Sequence, residues 1–377
     1  MHKSPFRIRL VTPIIHADER RAIARVLDSG HLVAGAQTAS FEQALAQLSG
    51  RRFAVALSSG TAALLAGMRA MKIGPGSTVV VPAFVFPAAA MVADFLGATV
   101  RFCDVDAHTW NMTPQTLRPL LEAEDVDLVV PVDLFGHPAP SGALVPLCQK
   151  WGARLLVDAA CSLGATRDQR PAGSFGDGAI FSFHPRKVVT AFEGGAFVTD
   201  CETLAATVRT FRNLGQSPEG FVSVGLNLRP SEIGFACALA QLPHLVERLR
   251  VRCQWAREYR RALQSLPLTF QADEPGVAAN CQSLVVCVPE SFGASGRDAL
   301  ITHLATQGVE ACIAGWSASR VTPLRTRWRV DEQHQPNALA LHQRGLALPL
   351  HENLSRVDVQ TVIHSVREGC QKIELQR

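Results

Sequence analysis

Between residues 52 and 200 the chain alternates short apolar runs with longer amphipathic ones. The β-rich runs are RFAVAL, STVVVPA, ATVRFCDV, VDLVVPVDL, ARLLVDAA, GDGAIFSF and GGAFVTD. Between them, SSGTAALLAGMRAMKI, PAAAMVADFLG and SGALVPLCQKWG read as helices, the first entered through a turn. Such alternation predicts βαβ units and a largely parallel sheet covered by helices on both faces. From about Pro230 the texture changes. The stretch from Ser231 to Leu266 is long and helical, with arginines along one face and Pro243 interrupting it. A strand in CQSLVVCVP, a helix near GRDALITHLATQG, a strand in VEACIAG and a final amphipathic helix in LSRVDVQTVIHSVREGCQ follow. Residues 316–338 lack clear periodicity and read as a long loop, a place where function often resides.

This pattern predicts an α/β fold in two units. One is a large unit over residues 1–250 with a mixed, mostly parallel sheet, whose N-terminal segment can pack on its neighbour. The other is a smaller α+β unit over 251–377. The apolar fraction, 47%, is enough for a substantial core. Apolar runs are short and interrupted, so no membrane helix is expected, and the first residues show no signal-peptide pattern. The net charge of +4 is too small and too scattered to favour nucleic acid. Ten cysteines without a C-x-x-C pair fit reduced, mostly buried thiols and a cytoplasmic protein.

Three features carry candidate chemistry. After RFAVAL come Ser58, Ser59, Gly60 and Thr61, small residues that let a phosphate approach the N–H groups of a helix N-terminus. A plain helix cap explains the serine and threonine equally well. Asp158 ends the strand of ARLLVDAA. A carboxylate there is costly unless it is solvated or faces a partner, and a pyridine nitrogen is one such partner. Lys187 is one of only five lysines and lies between an apolar run and a Gly-Gly pair. It reads either as a surface lysine or as an amine able to form a Schiff base and carry a proton. Dinucleotide-binding, P-loop and H-E-x-x-H motifs are missing from the sequence, which leaves His137 and His184 as packing or hydrogen-bonding residues.

SGTAAL, IGPGSTVVVPAFVF, VDAACSLGA, GDGAIFSFHPRK, EGGAFVTD and GLNLRPSE occur in an order that closely resembles the DegT/StrS-like sugar aminotransferase family. The resemblance is strong over residues 12–250 and looser beyond, ending in LALPLHENLS. It implies an aspartate-aminotransferase-like fold, fold type I, and pyridoxal 5'-phosphate (PLP) as cofactor. It makes Lys187 the Schiff-base lysine and Asp158 the partner of the pyridine nitrogen. Gly60, Thr61 and Ser182 would hold the phosphate, Phe86 would stack on the ring, and Asn227 would reach the phosphate of a neighbouring subunit in a homodimer with a shared active site. Arg229 has either a structural or a ligand role.

The implied activity moves an amino group from an amino acid, glutamate, to a keto-sugar, nucleotide-linked, in amino-sugar or secondary-metabolite biosynthesis. Four features depart from the family pattern: Cys161 where Gln or His is usual, Asp133 and His137 in PVDLFGH, the NLRPSE stretch, and Phe192 before the EGG. They keep open a PLP enzyme acting on a non-nucleotide metabolite by other amination, elimination or carbon–carbon chemistry. A non-catalytic PLP-binding regulator has no use for the Lys187 and Asp158 pair.

Overall fold

The computed structural model describes residues 5–375. The seven β-rich runs form one sheet: β1 Phe53–Leu57, β2 Thr78–Pro82, β3 Thr99–Cys103, β4 Leu128–Val129, β5 Arg154–Asp158, β6 Gly178–Ser182 and β7 Gly195–Thr199. Their order is β1-β7-β6-β5-β4-β2-β3. Neighbours from β6 to β3 are parallel, while β7 runs antiparallel to both β1 and β6. Most strands are buried on both faces, which is why they read as near-continuous apolar runs. Helices Gly60–Ala70, Ala88–Phe95 and Glu202–Arg212 share one apolar cluster with the sheet, and Ala36–Ser49, Pro114–Ala123 and Ser141–Lys150 share another. In the second cluster the rings of Phe41, Phe183 and Phe235 meet edge to face at 4.9 to 5.9 Å. That packing fixes the end of β6, where Ser182 sits.

The long helical stretch breaks where proline predicts. Helices Glu232–Gln241 and Leu245–Leu263 are separated by a short 3-10 turn, Leu242–His244. Pro243 has no N–H to continue the first helix. A second sheet follows, made of β8 Thr269–Phe270, β9 Leu284–Cys287, β10 Cys312–Ile313 and β11 Gly345–Leu348, in the order β8-β9-β11-β10. All its pairings are antiparallel. Tyr259 and Leu263 of one helix and Val362 and Val366 of the C-terminal helix Arg356–Leu375 close its core. Ile8 pairs with Val309, so the N-terminal segment lies against this part of the chain.

Residues 316–338 differ from the expected loop. They hold helix Thr322–Trp328, two 3-10 turns and the start of helix Pro336–Arg344. Each α-helix begins with proline at its first or second position, where a missing N–H costs nothing. Thr322–Trp328 buries only Leu324 fully, too little to leave an apolar period in the sequence. Helix Pro114–Ala123 is masked in the sequence for a related reason, since two prolines punctuate it. Of the ten cysteines five are buried, fewer than the composition suggested. Among the described residues no helix is long and apolar enough to cross a membrane.

Candidate active site

The carboxyl ends of β1, β2, β5 and β6 lie along one edge of the large sheet, where open α/β sheets bind ligands. Gly195, which begins antiparallel β7, reaches the same edge and pairs with both Leu57 and Ser182. A Cβ on Gly195 would lie 2.2 Å from the Ser59 carbonyl oxygen and 2.4 Å from the Gly60 nitrogen. One on Gly60 would lie 3.0 Å from Ser182 Cβ and 3.3 Å from its Oγ. Glycine is therefore required where these backbones converge. Ser59 caps the helix Gly60–Ala70, its Oγ accepting from Ala62 N at 3.0 Å, and Thr61 is exposed in the first turn. Gly60, Thr61 and Ser182 thus meet at a helix N-terminus, an arrangement suited to an anion.

Asp158 ends β5 and is 7% exposed. Burial raises its pKa; a hydrogen bond from Ala160 N at 3.0 Å and the charge of Lys187 act the other way. Its Oδ2 has no protein hydrogen bond among the described residues. A desolvated carboxylate with a free acceptor is suited to a cationic partner. Lys187 lies in the turn after β6, half-buried, and its Nζ donates to Cys161 Sγ at 3.0 Å. The chain after Asp158 thus returns to touch the lysine through Cys161.

Side chains that the sequence did not single out hold both turns. Asn280 Nδ2 donates to the carbonyls of Cys161 and Leu163, each at 2.9 Å. Gln282 Oε1 accepts from Val188 N at 3.3 Å, and its Nε2 donates to Arg186 O at 2.6 Å. Gln241 Oε1 accepts from Thr190 N, and Arg248 donates to the carbonyl of Val188. The backbone around Lys187 is therefore clamped by residues 51 to 96 positions away. No periodicity or motif could have revealed them.

Behind Asp158, Asp133 is fully buried. Its Oδ2 accepts from Ser162 Oγ at 2.5 Å and its Oδ1 from Ala139 N at 2.8 Å. Burial pushes its pKa up to about 7 from an ordinary 3.8; the two hydrogen bonds lower it and the Asp158 charge raises it. The folded state then binds more protons than the unfolded one between these two pH values. Stability from this group is present at low pH and is lost as pH rises toward 7. Asp133→Asn, which keeps an acceptor for Ala139, is expected to gain about 4 kcal/mol over the native protein at pH 8 relative to pH 4. Urea unfolding at both pH values checks this, and an advantage that shrinks with rising pH would contradict it.

The remaining predicted residues fall around this edge. Phe86 follows β2 and is 73% exposed, leaving a ring face free. The neighbouring Val85 N donates to Trp316 O at 3.0 Å, which brings the 316–338 segment alongside. Asn227 is exposed, its backbone bridged to Asn213, and Arg229 donates to Asn213 Oδ1 at 2.9 Å. Glu232 of the NLRPSE stretch is buried and accepts from Gly35 N and Gln37 N, each at 2.6 Å, so it caps helix Ala36–Ser49. His137 is buried, with Nδ1 3.4 Å from Asn111 Nδ2. His184 is half-buried, 3.9 Å from Glu193. Phe192 adopts φ +65, a left-handed backbone that favours glycine.

A desolvated carboxylate, a lysine amine, a glycine-lined helix N-terminus and an exposed phenylalanine fit pyridoxal phosphate. Together with the sheet they define a PLP-dependent transferase of fold type I. The chain belongs to the DegT/DnrJ/EryC1/StrS aminotransferase family, whose model matches residues 13–367. It is 30% identical over 372 residues to the spore coat polysaccharide biosynthesis protein SpsC of Bacillus subtilis (strain 168), covering 94% of this chain and 95% of that one. Among solved structures it is similar to DesV of S. venezuelae in complex with a ketimine intermediate, at 29% identity and a TM-score of 0.87 over 96% of this chain and 99% of that one. It is also similar to the aminotransferase TlmJ of Streptoalloteichus hindustanus, at 28% identity and a TM-score of 0.90 over 97% and 100%.

Proposed function

We propose that this aminotransferase moves an amino group from L-glutamate to a keto-sugar carried on a nucleotide. The observation that carries the chemistry is the Lys187 amine held at the turn that follows Asp158, 3.0 Å from Cys161 Sγ. The sugar acceptor is supported by relatives such as SpsC, named for polysaccharide biosynthesis.

Pyridoxal phosphate supplies an aldehyde that accepts the amino group and a ring that withdraws electrons from the reacting carbon. With the cofactor bound, Lys187 Nζ would hold its aldehyde and, as a free amine, would take and return the proton of the donor's α-carbon. Asp158 would face the pyridine nitrogen and favour its protonated form. Gly60, Thr61 and Ser182 would hold the phosphate, and Phe86 would offer a ring face. Asn227 of a second copy would complete the phosphate site, so the proposed working unit is a homodimer. The cofactor edge belongs to residues 1–250, and residues 251–377 contribute Asn280 and Gln282 as a clamp.

The test is a panel of nucleotide-linked and free keto-sugars with glutamate as donor, followed by 2-oxoglutarate release and by mass of the aminated product. Amination of at least one nucleotide-linked sugar is expected. Amination of free sugars or other ketones alone would replace the nucleotide-linked reading.

A further inference from the structure

Ten cysteines were expected to be scattered thiols, yet two of them meet. Cys253 lies on helix Leu245–Leu263, and Cys281 lies in the loop before β9. Cys253 Sγ is 3.4 Å and Cys281 Sγ 4.0 Å from one acceptor, the carbonyl oxygen of Ala279. Both thiols therefore face the same carbonyl. Neither is fully buried, unlike half of the cysteines in the chain. We propose that Cys253 and Cys281 form a dithiol site that a small-molecule disulfide closes into a protein disulfide, and that closure loosens the clamp on the Lys187 segment.

The environment suits the chemistry. The neighbouring Cys281 thiol lowers the pKa of the Cys253 thiol, and the positive charges of Arg257 and Arg252 act in the same direction against burial. Cys281 is pushed the other way, chiefly by the Cys253 sulfur and by burial. One sulfur is thus the nucleophile and the other keeps the proton. The Cys253 thiolate attacks one sulfur of the small disulfide, forming a mixed disulfide and releasing a thiolate. That thiolate takes the Cys281 proton. Cys281 then attacks Cys253 Sγ, and the second small thiolate leaves. Two cysteines lose two electrons, and one small disulfide gains them.

Closure acts where the clamp is built. Cys281 holds φ +53, a left-handed backbone that non-glycine residues rarely adopt, so its loop is already strained. Its neighbours on either side are the clamp itself. Asn280 bonds the carbonyls of Cys161 and Leu163, and Gln282 bonds Val188 N and Arg186 O. Arg252, next to Cys253, holds the same loop through the carbonyls of Cys281 and Gln282, at 3.2 and 2.8 Å. A new Cys253–Cys281 bond pulls this loop toward the helix, and the backbone carrying Lys187 follows.

The cofactor-loaded full-length enzyme is incubated with oxidised glutathione, alkylated and mapped by mass spectrometry. A Cys253–Cys281 cross-linked peptide is expected, with two hydrogens lost from the intact mass. Exposed Cys201 should instead carry a mixed disulfide, which shows that the oxidant acted. The rate of cofactor loss on dilution, followed by its visible absorption, should rise about tenfold and return with dithiothreitol. Cys253→Ser and Cys281→Ser should each prevent both changes. Glutathionylated Cys201 without the cross-link would overturn the site. The cross-link with an unchanged rate of cofactor loss would overturn its coupling to the clamp. Neither readout depends on which acceptor the enzyme uses.

Discussion

Lys187→Ala is expected to lower turnover by roughly 10⁴-fold or more, because the proposed mechanism makes it both the covalent anchor for the cofactor and the group that moves the proton. The visible absorption of the lysine-linked cofactor should disappear with it. Stability should change little. Lys187 is half-buried, and among the described residues its side chain hydrogen-bonds only to a thiol, Cys161, at 3.0 Å, a weak acceptor. The surrounding turn is held by Gln282, Gln241 and Arg248 rather than by the lysine. Thermal unfolding close to that of the native protein, together with lost turnover, separates a chemical role from a structural one. Turnover within tenfold of native would defeat the assignment. Added small amines offer a second readout, since they can return part of the proton transfer but not the anchor.

Asp158→Asn is expected to lower turnover by about 10³-fold while leaving Lys187 and its absorption band in place. Asparagine keeps the size and can still accept from Ala160 N, but it carries no charge to hold a proton on the pyridine nitrogen. The native carboxylate is 7% exposed, and burial makes its charged form unfavourable until a cation faces it. The loss should therefore fall on kcat rather than on KM for the donor. An Asp158→Glu variant keeps the charge but displaces it, and should lie between the two. If Asp158→Asn retained native kcat, the carboxylate would be only a solvated strand end, the alternative reading its sequence position allowed.

The two predictions differ in how they could be reached. Lys187 is scarce in type and set in an apolar stretch, and Asp158 closes a strand, so both stand out along the chain. Cys161 stands out only as a departure from a family pattern. Its meaning came from the turn after β5 folding back onto the turn after β6, which places the thiol on the lysine amine across 26 residues. The segment 316–338 went the other way. Its charged composition hid short helices that owe their place to one buried leucine and to backbone bridges such as Phe84 with Ser317.

The sequence by itself determined the strand series, the break at Pro243, the candidate lysine, the strand-end carboxylate and the family resemblance. Each of these rests on local order: an apolar run, a missing N–H, a residue type at a fixed place in a motif. Tertiary structure alone decided that Gly60, Ser182 and Gly195 converge, that Asn280 and Gln282 clamp the turns after β5 and β6, and that Cys253 meets Cys281. These contacts join side chains or backbones up to 138 residues apart, as between Leu57 and Gly195, or 119 apart for Asn280 and Cys161. A single hydrogen bond or close approach between distant residues leaves no period in a sequence, because only the packing of whole strands and helices sets which positions meet.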